Sequence, residues 1–168
     1  CVPPYFVRLA AGLLEDSKVE VATVIGFPMG YTPTVAKVEE IKRAIQEGAG
    51  EIDMVINLAA LKSGDWSLVK NDIDSCTRAA HLKGKMIKVI LEAGHLSEAE
   101  TERICTICAE LGVDYVKTST GFGGAGANVD MISTLRSKLP ANVRIKASGG
   151  IRTFDQAQAL IKAGADRL

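Results

Sequence analysis

The chain has 168 residues, 47% of them hydrophobic, and its 20 basic and 20 acidic side chains cancel. That is enough apolar material for one sizeable core and fits a single domain over residues 1–168. Balanced charge makes no electrostatic case for nucleic acid or an acidic membrane surface, and no run of 18 apolar residues reads as a membrane span.

The opening residues CVPPYFV lack the charged-then-apolar pattern of a secretory leader. Cys1 and Val2 read as the end of a strand, Pro3 and Pro4 as a turn, and Phe6, Val7, Ala10, Leu13 and Leu14 recur at helical spacing. Residues 19–28 read as the first complete strand, nearly all apolar from Val21 to Ile25, as expected for a parallel strand covered on both faces. Thr32 is the expected cap of a helix with Pro33 at its first position and a stripe of Val35, Val38, Ile41, Ala44 and Ile45. Residues 51–57 (EIDMVIN) form the second strand, with Asp53, Val55 and Asn57 on one face. A helical stripe of Trp66, Val69, Ile73, Cys76 and Ala80 follows Gly64, and residues 85–92 form the third strand.

Ser97 and Glu100 match a capping box for the next helix, which carries Ile104, Ile107, Cys108 and Leu111. Cys105 and Cys108 form a CxxC inside this pattern. With no second pair to complete a zinc site, they read as small apolar helix residues, and the four cysteines suit a reducing cytosol. Residues 114–124 (DYVKTSTGFGG) read as a short strand entering a glycine-rich turn, followed by a helix near 129–139. Residues 143–151 (VRIKASGGI) form the fifth complete strand. Thr153 caps a last helix that Gly164 stops, and residues 165–168 open another strand.

The complete strands begin near residues 19, 51, 85, 114 and 143 and alternate strictly with helices, which implies parallel βα units. A dinucleotide-binding reading needs a GxGxxG after the first strand, and none is there. Asp53, Lys117 and Lys146 each lie inside a strand. A (β/α)8 barrel can point all three into one space near its C-terminal rim, whereas an open sheet would string them along a surface. The expected fold is therefore α/β, a parallel (β/α)8 barrel truncated at both ends, with about five complete βα units plus partial flanking strands.

Lys146 recurs at the place of Lys117, one βα unit later. Neighbouring strands lie about 4.8 Å apart. Two ammonium groups at roughly that distance repel by about 3 kcal/mol at an effective dielectric near 20, which favours loss of a proton from one of them. A neutral lysine can attack a carbonyl and form a Schiff base. The bland alternative is a sheet-edge lysine reaching water. Asp53 adds a carboxylate able to move protons, with an ion pair to Lys146 as its alternative reading. The turns at Gly121 and at Gly149 and Gly150 can expose backbone N–H groups to an anion, or be ordinary turns.

Residues 24–28 (VIGFP), 51–57, 61–65 (LKSGD), 88–92 (KVILE), 116–122 (VKTSTGF) and 145–152 (IKASGGIR) together resemble the deoxyribose-phosphate aldolase family nearly end to end. The resemblance implies a class I aldolase on a (β/α)8 barrel that reversibly cleaves 2-deoxyribose 5-phosphate to glyceraldehyde 3-phosphate and acetaldehyde. It implies Lys117 as the Schiff-base lysine and Lys146 and Asp53 as the proton-transfer pair. Gly121, Ser148, Gly149 and Gly150 would hold the substrate phosphate, and Cys1 would lie near the pocket. No metal or organic cofactor is implied, nor a nucleic-acid or membrane partner; a homodimer and a cytoplasmic location are. The family's first and last strands fall outside the matched segments, so a fragment is the expectation. Other readings are a different Schiff-base aldolase on the same fold, or a catalytically incompetent fragment with a structural or binding role.

Overall fold

The computed structural model describes residues 1–124 and 126–168. Strands and helices alternate along the chain, and the five strands follow one another in the sheet in chain order. Two compact units, Cys1–Lys88 and Val89–Leu168, divide within the third strand. No helix among the described residues is long and apolar enough to cross a membrane.

In the first unit, Val2 bridges Thr23 in parallel, so the opening residues do run as strand. A 3-10 turn, Pro4–Phe6, leads into α1, Val7–Leu13, of which only Val7 is buried. Strand β1, Ala22–Ile25, pairs in parallel with β2, Glu51–Val55, placing Val24 opposite Asp53. β1 is shorter than the expected 19–28 because Val19 is exposed and Gly26 turns the chain with a left-handed φ of 61°.

Helix α2, Thr34–Gln46, starts later than expected. Pro33 is its N-cap and makes no side-chain cap bond, since a proline has none to offer. The expected apolar stripe is only partly inward: Ile41 and Ala44 are buried, but Val35 is exposed and Lys37 is buried completely.

All five β2 residues are buried, as a strand covered on both faces requires. The strand ends before Asn57, which caps a short helix absent from the sequence reading, α3, Leu58–Lys62. Asn57 Oδ1 accepts from the Ala60 N–H at 3.0 Å, a local bond that competes with strand extension. Helix α4, Trp66–His81, is capped by Asp65 and bears the predicted stripe. Strand β3, Met86–Ile90, ends before residue 92.

Lys37 Nζ donates to Asp72 Oδ2 at 2.6 Å and to the Val55 carbonyl at 2.8 Å, so one ammonium ties α2, α4 and the end of β2 together. Thr34 Oγ1 donates to Asp72 Oδ1 at 2.9 Å. The lysine reaches its partners over Gly26, where a Cβ would lie 2.7 Å from Lys37 Cε.

The second unit contains α5, Glu98–Glu110, with the Ser97–Glu100 capping box in both directions. β4, Tyr115–Lys117, is followed by α6, Val129–Lys138. β5, Arg144–Lys146, precedes α7, Phe154–Lys162, which Thr153 caps in a box with Gln156. Arg167 bridges Lys146 in parallel, so the expected partial strand at 165–168 begins. Cys105 and Cys108 are buried free thiols, as the helix reading of the CxxC expects. Burial pushes the Cys105 thiol up to about 11 and Cys108 higher. In the first unit, burial and then the Asp72 carboxylate push Cys76 to about 12, with Lys37 offsetting part of the rise.

Replacing Lys37 with Met would leave Asp72 charged and buried without its cation, a loss of about 3–5 kcal/mol. The double variant Lys37→Met/Asp72→Leu is expected to recover most of it. Urea unfolding midpoints of the two variants check this.

Candidate active site

In the second unit, β4 and β5 run parallel with Tyr115 opposite Arg144, Val116 opposite Ile145, and Lys117 opposite Lys146. Residues in register on neighbouring strands project to the same side. The two lysines therefore hold matching places, as their spacing predicts. Lys117 is only 6% exposed, and Lys146 is half-buried. The Leu91 N–H donates to the Lys117 carbonyl at 2.9 Å, and the Thr118 N–H donates to that of Lys146 at 3.1 Å. The backbone around Lys117 is thereby fixed from both sides.

Beyond the lysines the two strand ends are laced together. Thr118 Oγ1 donates to the Ser148 carbonyl at 3.1 Å and accepts from the Ser148 N–H at 3.0 Å. Ser148 Oγ donates to the Ser119 carbonyl at 2.6 Å. Ser148 is thus committed to shaping the turn through its hydroxyl and its backbone. Gly149 and Gly150 follow with φ of 88° and 75°, and Gly121, exposed, has φ of 88°.

The loop after β4 passes very close to Gly149. A Cβ on Gly126 would lie 2.3 Å from the Gly149 carbonyl oxygen, and the neighbouring Ala127 N–H donates to the Ser148 and Gly149 carbonyls at 3.1 and 3.0 Å. The three predicted glycines and Ser148 therefore sit on turns that carry β4 and β5 outward, and Gly121 and Gly149 come close: a Cβ on Gly149 would lie 3.8 Å from Gly121 Cα.

Glu92, expected as a strand residue, instead has a left-handed φ of 50° just past β3. Its buried carboxylate accepts from the Thr120 N–H at 3.2 Å and from the Thr120 hydroxyl. A non-glycine residue in this conformation carries strain, and here the two bonds to Thr120 hold it. The sequence offered one sign, an acidic residue closing an apolar strand just before Ala-Gly.

In the first unit, Asp53 is fully buried on β2. Lys88 Nζ on β3, also fully buried, donates to Asp53 Oδ1 at 2.8 Å and to Glu51 Oε2 at 2.6 Å. Neither Lys88 nor Glu51 stood out in the sequence. Their signal was the alternation Glu51-Ile52-Asp53, which puts two carboxylates on one strand face, with a lysine inside the next apolar strand. Cys1, also in this unit, is exposed. Among the described residues no group of three or more His, Cys, Asp or Glu side chains is placed to hold a metal ion.

Parallel strands alternating with helices, two of them with lysines in register and glycine turns beyond, make this an α/β protein. The family model for DeoC/LacD family aldolases matches residues 1–166, and the chain belongs to that family. It is 49% identical over 170 residues to the deoxyribose-phosphate aldolase of Thermococcus gammatolerans, matching all of this chain and 76% of the relative. The Desulfitobacterium hafniense enzyme of the same name is 48% identical, with 100% and 77% covered. Among solved structures, one described as "QR15, an Aldolase" superposes with a TM-score of 0.93 at 40% identity, over 99% of this chain and 74% of that one. The tetrameric deoxyribose phosphate aldolase of Aeropyrum pernix gives 0.90 at 32% identity, over 99% and 71%. The α/β fold class with parallel strands, read from the spacing of the elements, stands with these likenesses.

Replacing Gly126 with Ala would drive its methyl group into the Gly149 carbonyl, where backbone cannot yield cheaply. The expected loss is about 1–3 kcal/mol of stability. The midpoint of urea unfolding reads it.

Proposed function

We propose that this chain is a deoxyribose-phosphate aldolase, cleaving 2-deoxyribose 5-phosphate reversibly to glyceraldehyde 3-phosphate and acetaldehyde through an imine on Lys117. The observation that carries the residue assignment is the register of Lys117 against Lys146 on β4 and β5. The whole-chain likeness to enzymes of that name carries the substrate.

The chemistry follows from the groups available. The neutral Lys117 amine attacks the aldehyde carbon of the open-chain sugar, forming a carbinolamine that loses water to give an iminium ion. A base takes the proton of the C3 hydroxyl. The C2–C3 bond breaks, its electron pair passes into the iminium as an enamine, and glyceraldehyde 3-phosphate leaves. Protonation of the enamine carbon and hydrolysis release acetaldehyde and restore the amine.

Asp53 and Lys146 are the groups we assign to these proton movements, each step being of a kind to which a positioned acid or base contributes about 10²–10⁴-fold. The turns at Gly121 and Ser148 to Gly150 are assigned to the phosphate, since left-handed turns can present backbone N–H groups to an anion. Cys1 is assigned to the edge of the pocket on the resemblance alone. The cycle calls for no metal or organic cofactor. A cytoplasmic location and a homodimer belong to the same proposal; the Aeropyrum pernix relative is described as tetrameric.

Incubation with acetaldehyde and borohydride is expected to add one two-carbon adduct, on Lys117. Peptide mass mapping that finds Lys117 unmodified would end the reading. Lys117→Ala is expected to abolish cleavage. Lys146→Leu is expected to slow imine formation at neutral pH and to alter the pH–rate profile, which stopped-flow trapping across pH measures.

A further inference from the structure

Among the described residues, glycines aside, Glu92 alone has a left-handed backbone, and it is buried. It precedes the 3-10 turn Ala93–His95, yet its carboxylate does not cap that turn. The carboxylate accepts instead from the Thr120 N–H at 3.2 Å and from the Thr120 hydroxyl. Thr120 Oγ1 accepts in turn from the Phe122 N–H at 3.0 Å. The amides of Thr120 and Phe122 are thus committed, and the Gly121 N–H lies between them.

Glu92 is itself anchored by its neighbours. The Ala93 N–H donates to the Thr118 carbonyl at 2.8 Å, and the His95 N–H donates to the Glu92 carbonyl at 3.0 Å. The far side of the Gly121 turn rests on the same carboxylate: a Cβ on Gly123 would lie 2.8 Å from Glu92 Cδ and 3.0 Å from His95 Nε2. A strained backbone persists only where its surroundings over-determine it, and such places cluster at ligand clamps. This one clamps the turn assigned to the phosphate.

We infer that Glu92 is a positioning residue for the substrate phosphate: through Thr120 it holds the turn at Gly121 in the shape that presents backbone N–H to the anion. This rests on the reading of the chain as an aldolase with its phosphate at Gly121. A turn already in its bound shape spares the cost of ordering it when the ligand arrives. In the synthetic direction the two substrates separate this role from general rigidity. Acetaldehyde reacts with Lys117 and carries no phosphate, whereas glyceraldehyde 3-phosphate does. Loss of the Glu92–Thr120 link must therefore weaken use of the phosphorylated aldehyde alone, and a loosened β4 would weaken both.

The test is initial rates of aldol synthesis with each aldehyde varied, for Thr120→Val, Thr120→Ser and Glu92→Gln, with borohydride trapping of acetaldehyde on Lys117 alongside. Thr120→Val keeps the shape and loses the hydroxyl, so KM for glyceraldehyde 3-phosphate is expected to rise about tenfold, the scale of one hydrogen bond to a charged group. Glu92→Gln weakens the charge-assisted bonds and gives a smaller rise. Thr120→Ser restores the hydroxyl and keeps that KM within about twofold of wild type, and KM for acetaldehyde stays within about twofold throughout. A selective rise that the serine variant reverses supports the inference. With the Lys117 adduct present, no rise, a rise for both aldehydes or for acetaldehyde alone, or a rise that serine does not reverse overturns it and leaves the imine reading intact. If Thr120→Val does not fold, Glu92→Gln decides by the same selectivity. Wild-type protein that yields no Lys117 adduct or no aldol product overturns the reading on which the inference rests, and the inference with it.

Discussion

A charge removed from water must meet an opposite charge or a full set of hydrogen bonds, and this constraint shapes the interior of the protein. Lys37 and Lys88 are both completely buried. Each ends on carboxylates at 2.6–2.8 Å, Lys37 on Asp72 and Lys88 on Glu51 and Asp53. Parallel strands read as apolar runs because both of their faces are covered. The polar residues that interrupt such runs are therefore expensive, and each is held by specific partners. In the first unit these clusters connect elements far apart in sequence: Lys37 with Asp72, and Lys88 with Glu51 and Asp53.

The two completely buried lysines, Lys37 and Lys88, differ in the groups they hold. Lys37 also donates to the Val55 carbonyl, so it anchors helices to the end of a strand. That is an architectural task, and its cation and anion balance. Lys88 faces two anions on one strand.

The second unit solves a different problem, how to keep the end of a short strand rigid. β4 is only three residues long. Its continuation is nonetheless tied down on both sides, through Ala93 to the Thr118 carbonyl and through Ser148 to Thr118 and Ser119. Glu92 adds strain in its backbone and recovers it through Thr120. Side-chain and backbone bonds beyond the ladder thus define the turns that follow Lys117 and Lys146, and glycine is required where the two turns touch, at Gly126 against Gly149.

Much of this was legible before any coordinates. The apolar periods and the capping boxes at Ser97 and Thr153 depend on residues three or four apart, so local sequence suffices to predict them. The matched positions of Lys117 and Lys146 follow from their equal offset from the starts of their strands, near residues 114 and 143. Local pattern could not foresee that Asn57 would cap α3 instead of extending a strand, because both fates suit the same residues. Nor could it foresee that Lys37 would turn inward from a helix, since its partner Asp72 lies 35 positions away. The sequence by itself determined the alternation of elements and which two strands carry the amines. Only the tertiary structure decided which charges meet, because the pairing of Lys88 with Asp53 and Glu51 is a property of neighbouring strands in space and leaves no periodic trace along the chain.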